Sequence, residues 1–125
     1  MKIDAETAQT LEPWFPDLDM QSVRLVDAWP FKALIKNVLR QGAVTVAPFI
    51  FYGKTSFRPG NAGSLALLAH ELKHIEQYRG MGHAGFLWRY FWDKARNGFE
   101  YSKKLPLEKE AYDLQDEVRK ALENP

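Results

Sequence analysis

The stretch "LALLAHELKHIEQY", residues 65–78, sets two histidines one helical turn apart with a carboxylate beside the first. Wound at about 100° per residue, Leu65, Leu68, Leu72 and Ile75 fall on one side. His70 and His74 stack on a different side, with Glu71 at their flank. Such a helix has a core face and a second, specialised face. Two imidazoles four residues apart can both reach one zinc ion at about 2.0–2.1 Å. The Glu71 carboxylate cannot share that approach. It is aimed instead at a water in the open coordination position, whose proton it can take as general base. Zinc brings that water's pKa to about 7, so this spacing is suited to attack on a carbonyl. The competing interpretation is a solvated His/Glu/Lys surface without metal; Lys73, a charge between the histidines, and Glu76 count toward it.

Two histidines leave zinc short of a protein ligand. His83 in "RGMGHAG" is one source, and Glu108 and Glu110 in "PLEKEAYDLQ" are others. There is no cysteine, so disulfides are excluded and a metal must be held by His and carboxylate. The serines lack the strand-turn-helix setting of a nucleophile, and "YGKTS" lacks the upstream glycine of a phosphate loop.

"HELKH" followed by "LEKEAY" resembles the gluzincin metallopeptidases, whose third ligand is a Glu on a later helix in an E-x-x-A pattern. Glu108-Lys-Glu-Ala111 matches that pattern, so the resemblance implies Glu108, ahead of Glu110, as the third ligand. From about Val23 to Gln115, including "GAVTVAPFIFYGKTSFRPGNAGSLALLAHELKH", the chain is similar to a family of small bacterial zinc-peptidase domains. Those domains are found with extracellular contractile injection systems. The resemblance implies a zincin-like fold, bound Zn²⁺, a peptide or protein substrate and a partner protein. In many gluzincins an Asp four residues after the ligand Glu orients a ligating His. Tyr112 stands there in this chain, with Asp113 and Asp116 out of register. Tyr112, with Tyr101, is a candidate donor to the developing oxyanion.

The elements that must position these residues can be read in outline. Residues 1–19 look like a polar lead-in broken by Pro13 and Pro16, with a short helix over Ala5–Leu11. "MQSVRLVDA" alternates as a strand. "PFKALIKNVLR" has helical spacing, with Phe31, Leu34, Ile35, Val38 and Leu39 as its apolar stripe. "AVTVAPFIFYG" reads as one or two strands, "FIFYG" at a sheet edge to which an extended substrate could add. In the loop that follows, Arg58 reads as a lone solvated cation, and Asn61 or Ser64 caps the motif helix. "HAGFLWRYFWDKARNG" is a further helix ending at Gly98, its aromatics packed in the core beneath solvated Arg and Lys. The last helix starts near Pro106 and carries Leu107, Ala111, Leu114, Val118 and Leu122 as its core stripe.

With 125 residues, 46% hydrophobic, one α+β domain is expected: a short sheet packed on helices. Seventeen basic against sixteen acidic residues leave a net charge of +1, which gives nucleic-acid binding no support. No secretory leader and no membrane-spanning apolar run is visible, so the expected location is cytoplasmic. The expected function is peptide-bond hydrolysis by a zinc enzyme, with His70, His74 and Glu108 on the metal and Glu71 as base. The rival is a non-catalytic, zinc-stabilised interaction domain.

Overall fold

A computed structural model describes residues 1–39, 42–96 and 105–124; Tyr101 and Gly98, and the side chains of Val38 and Leu39, lie outside that set. The architecture is α+β. Three short strands, β1 (Arg24–Val26), β2 (Ala43–Val46) and β3 (Phe49–Tyr52), form a sheet ordered β1-β3-β2. β1 runs parallel to β3 and β2 antiparallel to it. The expected edge strand, "FIFYG", is therefore central, and the edge beside the motif helix is β2. Local chain economy explains the difference. Ala47 and Pro48 join β2 to β3 as a tight hairpin, with proline in the turn, where its missing N–H costs the β2–β3 ladder nothing. The far side of β3 is then taken by β1, whose Arg24 N–H bonds the Pro48 carbonyl.

The N-terminal segment holds helix α1 (Ala5–Leu11), as the sequence suggested. It is more than a polar lead-in, however. Ile3, Leu11 and Phe15 are fully buried, and the terminal amine donates to the Leu25 carbonyl at 2.7 Å. Three apolar side chains spread over thirteen residues make no periodic signal, yet each reaches the core. The reverse holds for α2 (Phe31–Leu34), one turn that continues as a π-helical turn over Ile35–Leu39. Of its expected stripe, Ile35 is buried, whereas Phe31 and Leu34 are half exposed.

Helix α3 (Ala62–Arg96) opens with Asn61 Oδ1 accepting the Ser64 N–H at 2.9 Å, the expected cap. Gly82 interrupts it at φ 75°, a left-handed conformation that glycine takes without steric cost. Two arms result, 62–81 and 83–96. Leu65, Leu68, Leu72 and Ile75 of the first arm are all buried, and the last three share a core with Val23, Leu25, Ile50 and Tyr52 of the sheet side. Helix α4 (Pro106–Glu123) buries Leu107, Ala111 and Val118, with Leu114 and Leu122 partly covered. It lies antiparallel to the first arm: Glu108 meets His74, Gln115 meets His70, and Arg119 approaches Gly63.

The second arm departs from expectation. Phe86 is buried against Tyr78, but Leu87, Trp88, Phe91 and Trp92 are 47–70% exposed. The Phe86–Tyr90 side of this arm turns back to the body. Trp88 and Trp92 stack on each other outside, with Arg96 over Trp92. Among the described residues no helix is long and apolar enough to cross a membrane.

Candidate metal centre

The first arm of α3 and the start of α4 bring His70, His74 and Glu108 together, all buried, with one ligand atom of each within 4.8 Å of the others. Glu108 Oε1 lies 2.6 Å from His74 Nε2 and 3.6 Å from His70 Nε2. These distances bracket the separation of about 3.3 Å between ligand atoms at 2.0–2.1 Å on a tetrahedral ion. The donor set, two imidazoles and one carboxylate, suits a divalent ion of borderline hardness. The group could hold a metal ion.

Both imidazoles are oriented by amides. His70 Nδ1 lies 2.9 Å from Gln115 Oε1, and His74 Nδ1 lies 2.8 Å from Gln77 Oε1. The Gln77 amide is held the right way round because its Nε2 donates to the Leu107 carbonyl at 3.2 Å. With each Nδ1–H given to an amide oxygen, each Nε2 presents its lone pair to the centre. Gln77 is three residues after His74 and Gln115 seven after Glu108, both on site-facing positions of their helices. A search for a carboxylate orienter passes over them, although their spacing was visible. Asp113 and Asp116 are exposed, and Asp113 pairs with Lys109.

Burial alone would lower the His74 pKa, but the Glu108 bond, the Glu71 and Glu108 charges and the Gln77 bond together raise it. A proton and a metal ion therefore compete for the same nitrogen, and metal affinity there rises with pH.

The alternatives for a third ligand are occupied elsewhere. Glu110 is exposed and pairs with Lys73 at 3.0 Å. His83 Nε2 lies 2.7 Å from the Ala47 carbonyl. Lys73, the charge that looked out of place inside the motif, bridges Glu76 and Glu110 on the outer side of the helix.

Glu71 is buried with its Oε2 accepting from Thr45 Oγ1 at 2.5 Å. Thr45 comes from the edge strand β2, and its carbonyl takes the Tyr78 hydroxyl at 3.3 Å. Strand and helix are thus tied together at the carboxylate itself, a contact between residues 26 apart that sequence spacing could not show. The Tyr112 ring packs edge-on against His70, centroids 4.4 Å apart. Tyr90, also facing the centre, has its pKa pushed up to about 12, first by burial and then by the Glu108, Tyr112, Glu71 and Tyr78 charges. Its phenol is neutral and able to donate a hydrogen bond.

These side chains line one cleft of about 1010 Å³, bounded by β2, the 54–58 loop, both arms of α3 and α4. No curated protein and no solved structure matches the chain. A family model described as the eCIS core domain matches residues 2–82, a span that holds the sheet, the His70–Glu71–His74 arm and Thr45 and ends at the Gly82 break. With about two thirds of its length matched, the chain belongs to the eCIS core domain family.

Proposed function

We propose that this chain is a zinc-dependent metallopeptidase that cleaves a peptide or protein substrate. The observation that carries the reading is the pairing of a buried His70–His74–Glu108 group with a Glu71 carboxylate fixed beside it by Thr45. Zinc suits the two imidazoles and one carboxylate; when bound it would supply a water of lowered pKa and polarise the scissile carbonyl. His70 and His74 bind through Nε2 while Gln115 and Gln77 hold their orientation. Glu71 takes the proton from the attacking water and hands it to the leaving nitrogen. Thr45 keeps the carboxylate from rotating away. Tyr112, adjoining His70, and Tyr90, which lines the same cleft, are the candidate donors to the developing negative charge. The β2 edge lines the cleft, and its outward backbone groups suit an extended substrate strand, added antiparallel.

The family's description points to a multiprotein injection assembly, so the substrate or a partner would be sought among proteins of such an assembly. The exposed Leu87, Trp88, Phe91 and Trp92 favour a second reading, a non-catalytic interaction domain stabilised by its metal. One variant separates the two. Zinc-loaded Glu71→Gln should keep its metal and fold but lose a factor of about 10²–10⁴ in turnover of a peptide library followed by mass spectrometry. Chelator-sensitive cleavage that persists undiminished in Glu71→Gln would overturn the mechanism.

A further inference from the structure

The charges lining the cleft are one-sided once its carboxylates are assigned to the centre. Among the described residues the only acids lining it are Glu71 and Glu108, both turned to the metal site. Three cations line its other end: Lys54 and Arg58 from the loop after β3, and Arg119 from α4. Several contacts place them at the start of both β2 and α3. Thr55, beside Lys54, bonds the Gly42 carbonyl through its Oγ1. The Arg58 N–H bonds Ser64 Oγ, and a methyl group added at Gly63 would lie 3.5 Å from an Arg119 guanidinium nitrogen.

The loop is held in place. Lys32 Nζ donates to Asp27 Oδ1, the Thr55 carbonyl and Ser56 Oγ, and Asp27 Oδ2 accepts the Phe57 N–H. Lys54 and Arg58 have no described carboxylate in salt-bridge range, and Arg119 has only Glu123, 3.9 Å away on its own helix. The opposite end of the cleft is lined mainly by aromatic and apolar side chains, Tyr78, Phe86, Leu87 and Tyr90, with a fourth cation, Lys94, from the second arm of α3. Arg58, which looks solitary in the sequence, thus belongs to a cluster completed by an arginine 61 positions later.

We propose, resting on the peptidase reading for the polypeptide nature of the ligand, that the segment taken into this cleft is acidic and seats Asp or Glu side chains on Lys54, Arg58 and Arg119. The run from Gly63 to His70 covers about 10 Å of helix, and an extended chain advances about 3.3 Å per residue, so the acids sit about three residues from the cleaved bond. A strand antiparallel to β2 runs toward the beginning of β2, which is the cationic end. The acids therefore lie on the C-terminal side of that bond. Charge complementarity of this kind sets specificity and the rate of encounter more than raw affinity.

The test uses two fluorescent synthetic peptides that share an apolar N-terminal half and differ in a C-terminal half rich in either Asp and Glu or Lys. Zinc-loaded Glu71→Gln serves as the binding protein in anisotropy titrations, and the wild type is assayed for cleavage of the same pair. The acidic peptide should bind at least about tenfold more tightly at low salt, with the advantage shrinking as salt is raised. The double substitution Arg58→Glu, Arg119→Glu, with zinc content and circular dichroism unchanged, should abolish or reverse the preference. Equal binding of the two peptides, binding of neither, or a preference that survives the double substitution overturns the proposal. Acid-selective binding without cleavage by the wild type would uphold it while overturning the peptidase reading. Cleavage of both peptides at equal rates would do the opposite.

Discussion

The two arms of α3 invert the usual distribution of side chains in opposite ways. Before Gly82, His70, Glu71, His74 and Gln77 are each no more than 7% exposed. Beyond it, Leu87, Trp88, Phe91 and Trp92 stand at least 47% exposed. Buried polar groups are costly unless they are hydrogen-bonded, and every one of the four in the first arm has a partner from β2, α3 or α4. The first arm therefore supports a preorganised site through complete satisfaction of its polar atoms. The second arm holds large apolar side chains that add little to the core. Both arms are helical; what separates them is which neighbours the break at Gly82 leaves within reach.

The contrast can be broken most sharply at the metal. Elemental analysis after dialysis should find about one zinc per wild-type chain. His74→Ala and Glu108→Ala should lose most of it, and Glu110→Ala should not. Retention of metal by His74→Ala would remove the first arm's claim to a site. In packing, Leu72→Ala should cost about 2–5 kcal/mol in denaturant unfolding, because the side chain is wholly enclosed. A cost below 1 kcal/mol would mean that the first arm is no better anchored than the second.

A smaller effect is expected one bond out from the ligands. Gln115→Ala frees His70 Nδ1 and should weaken zinc binding about 10–100-fold in competition with a chromogenic chelator, with the fold intact. An unchanged affinity would show that packing against Tyr112 alone orients the ring. The smallest change should come from the second arm. Trp88→Ala, at a side chain 70% exposed, should move unfolding free energy by no more than about 0.5 kcal/mol. A larger loss would place that arm in the cooperative fold and erase the distinction.

Several features were legible in the residues because their causes are local. The His70–Glu71–His74 spacing, the Leu65–Leu68–Leu72–Ile75 stripe and the α4 stripe follow from the pitch of one helix, and the Asn61 cap follows from neighbours three residues apart. Glu108 was singled out by a motif match, and the geometry sets it, not Glu110, beside the histidines. Other features depend on pairings that no local pattern encodes. The hairpin at Ala47–Pro48 and the parallel docking of β1 moved "FIFYG" from the edge to the centre. Sparse apolar residues at Ile3, Leu11 and Phe15 entered the core because the chain folds back on β1. The aromatic run after Gly82 carries the composition of a core helix, yet beyond the break Phe86 is buried while Leu87, Trp88, Phe91 and Trp92 stand exposed.

The sequence by itself determined the motif helix, the last helix and the His70–Glu71–His74 spacing that could serve a metal ion, since these depend on periodicity and on the chemistry of side chains a few residues apart. Only the tertiary structure decided that Thr45 clamps Glu71, that glutamines orient both histidines, that β2 is the sheet edge beside the motif helix, and that Arg58 shares a cleft end with Arg119. Each of those facts joins residues from different elements, and only the docking of one element on another sets the distance between them.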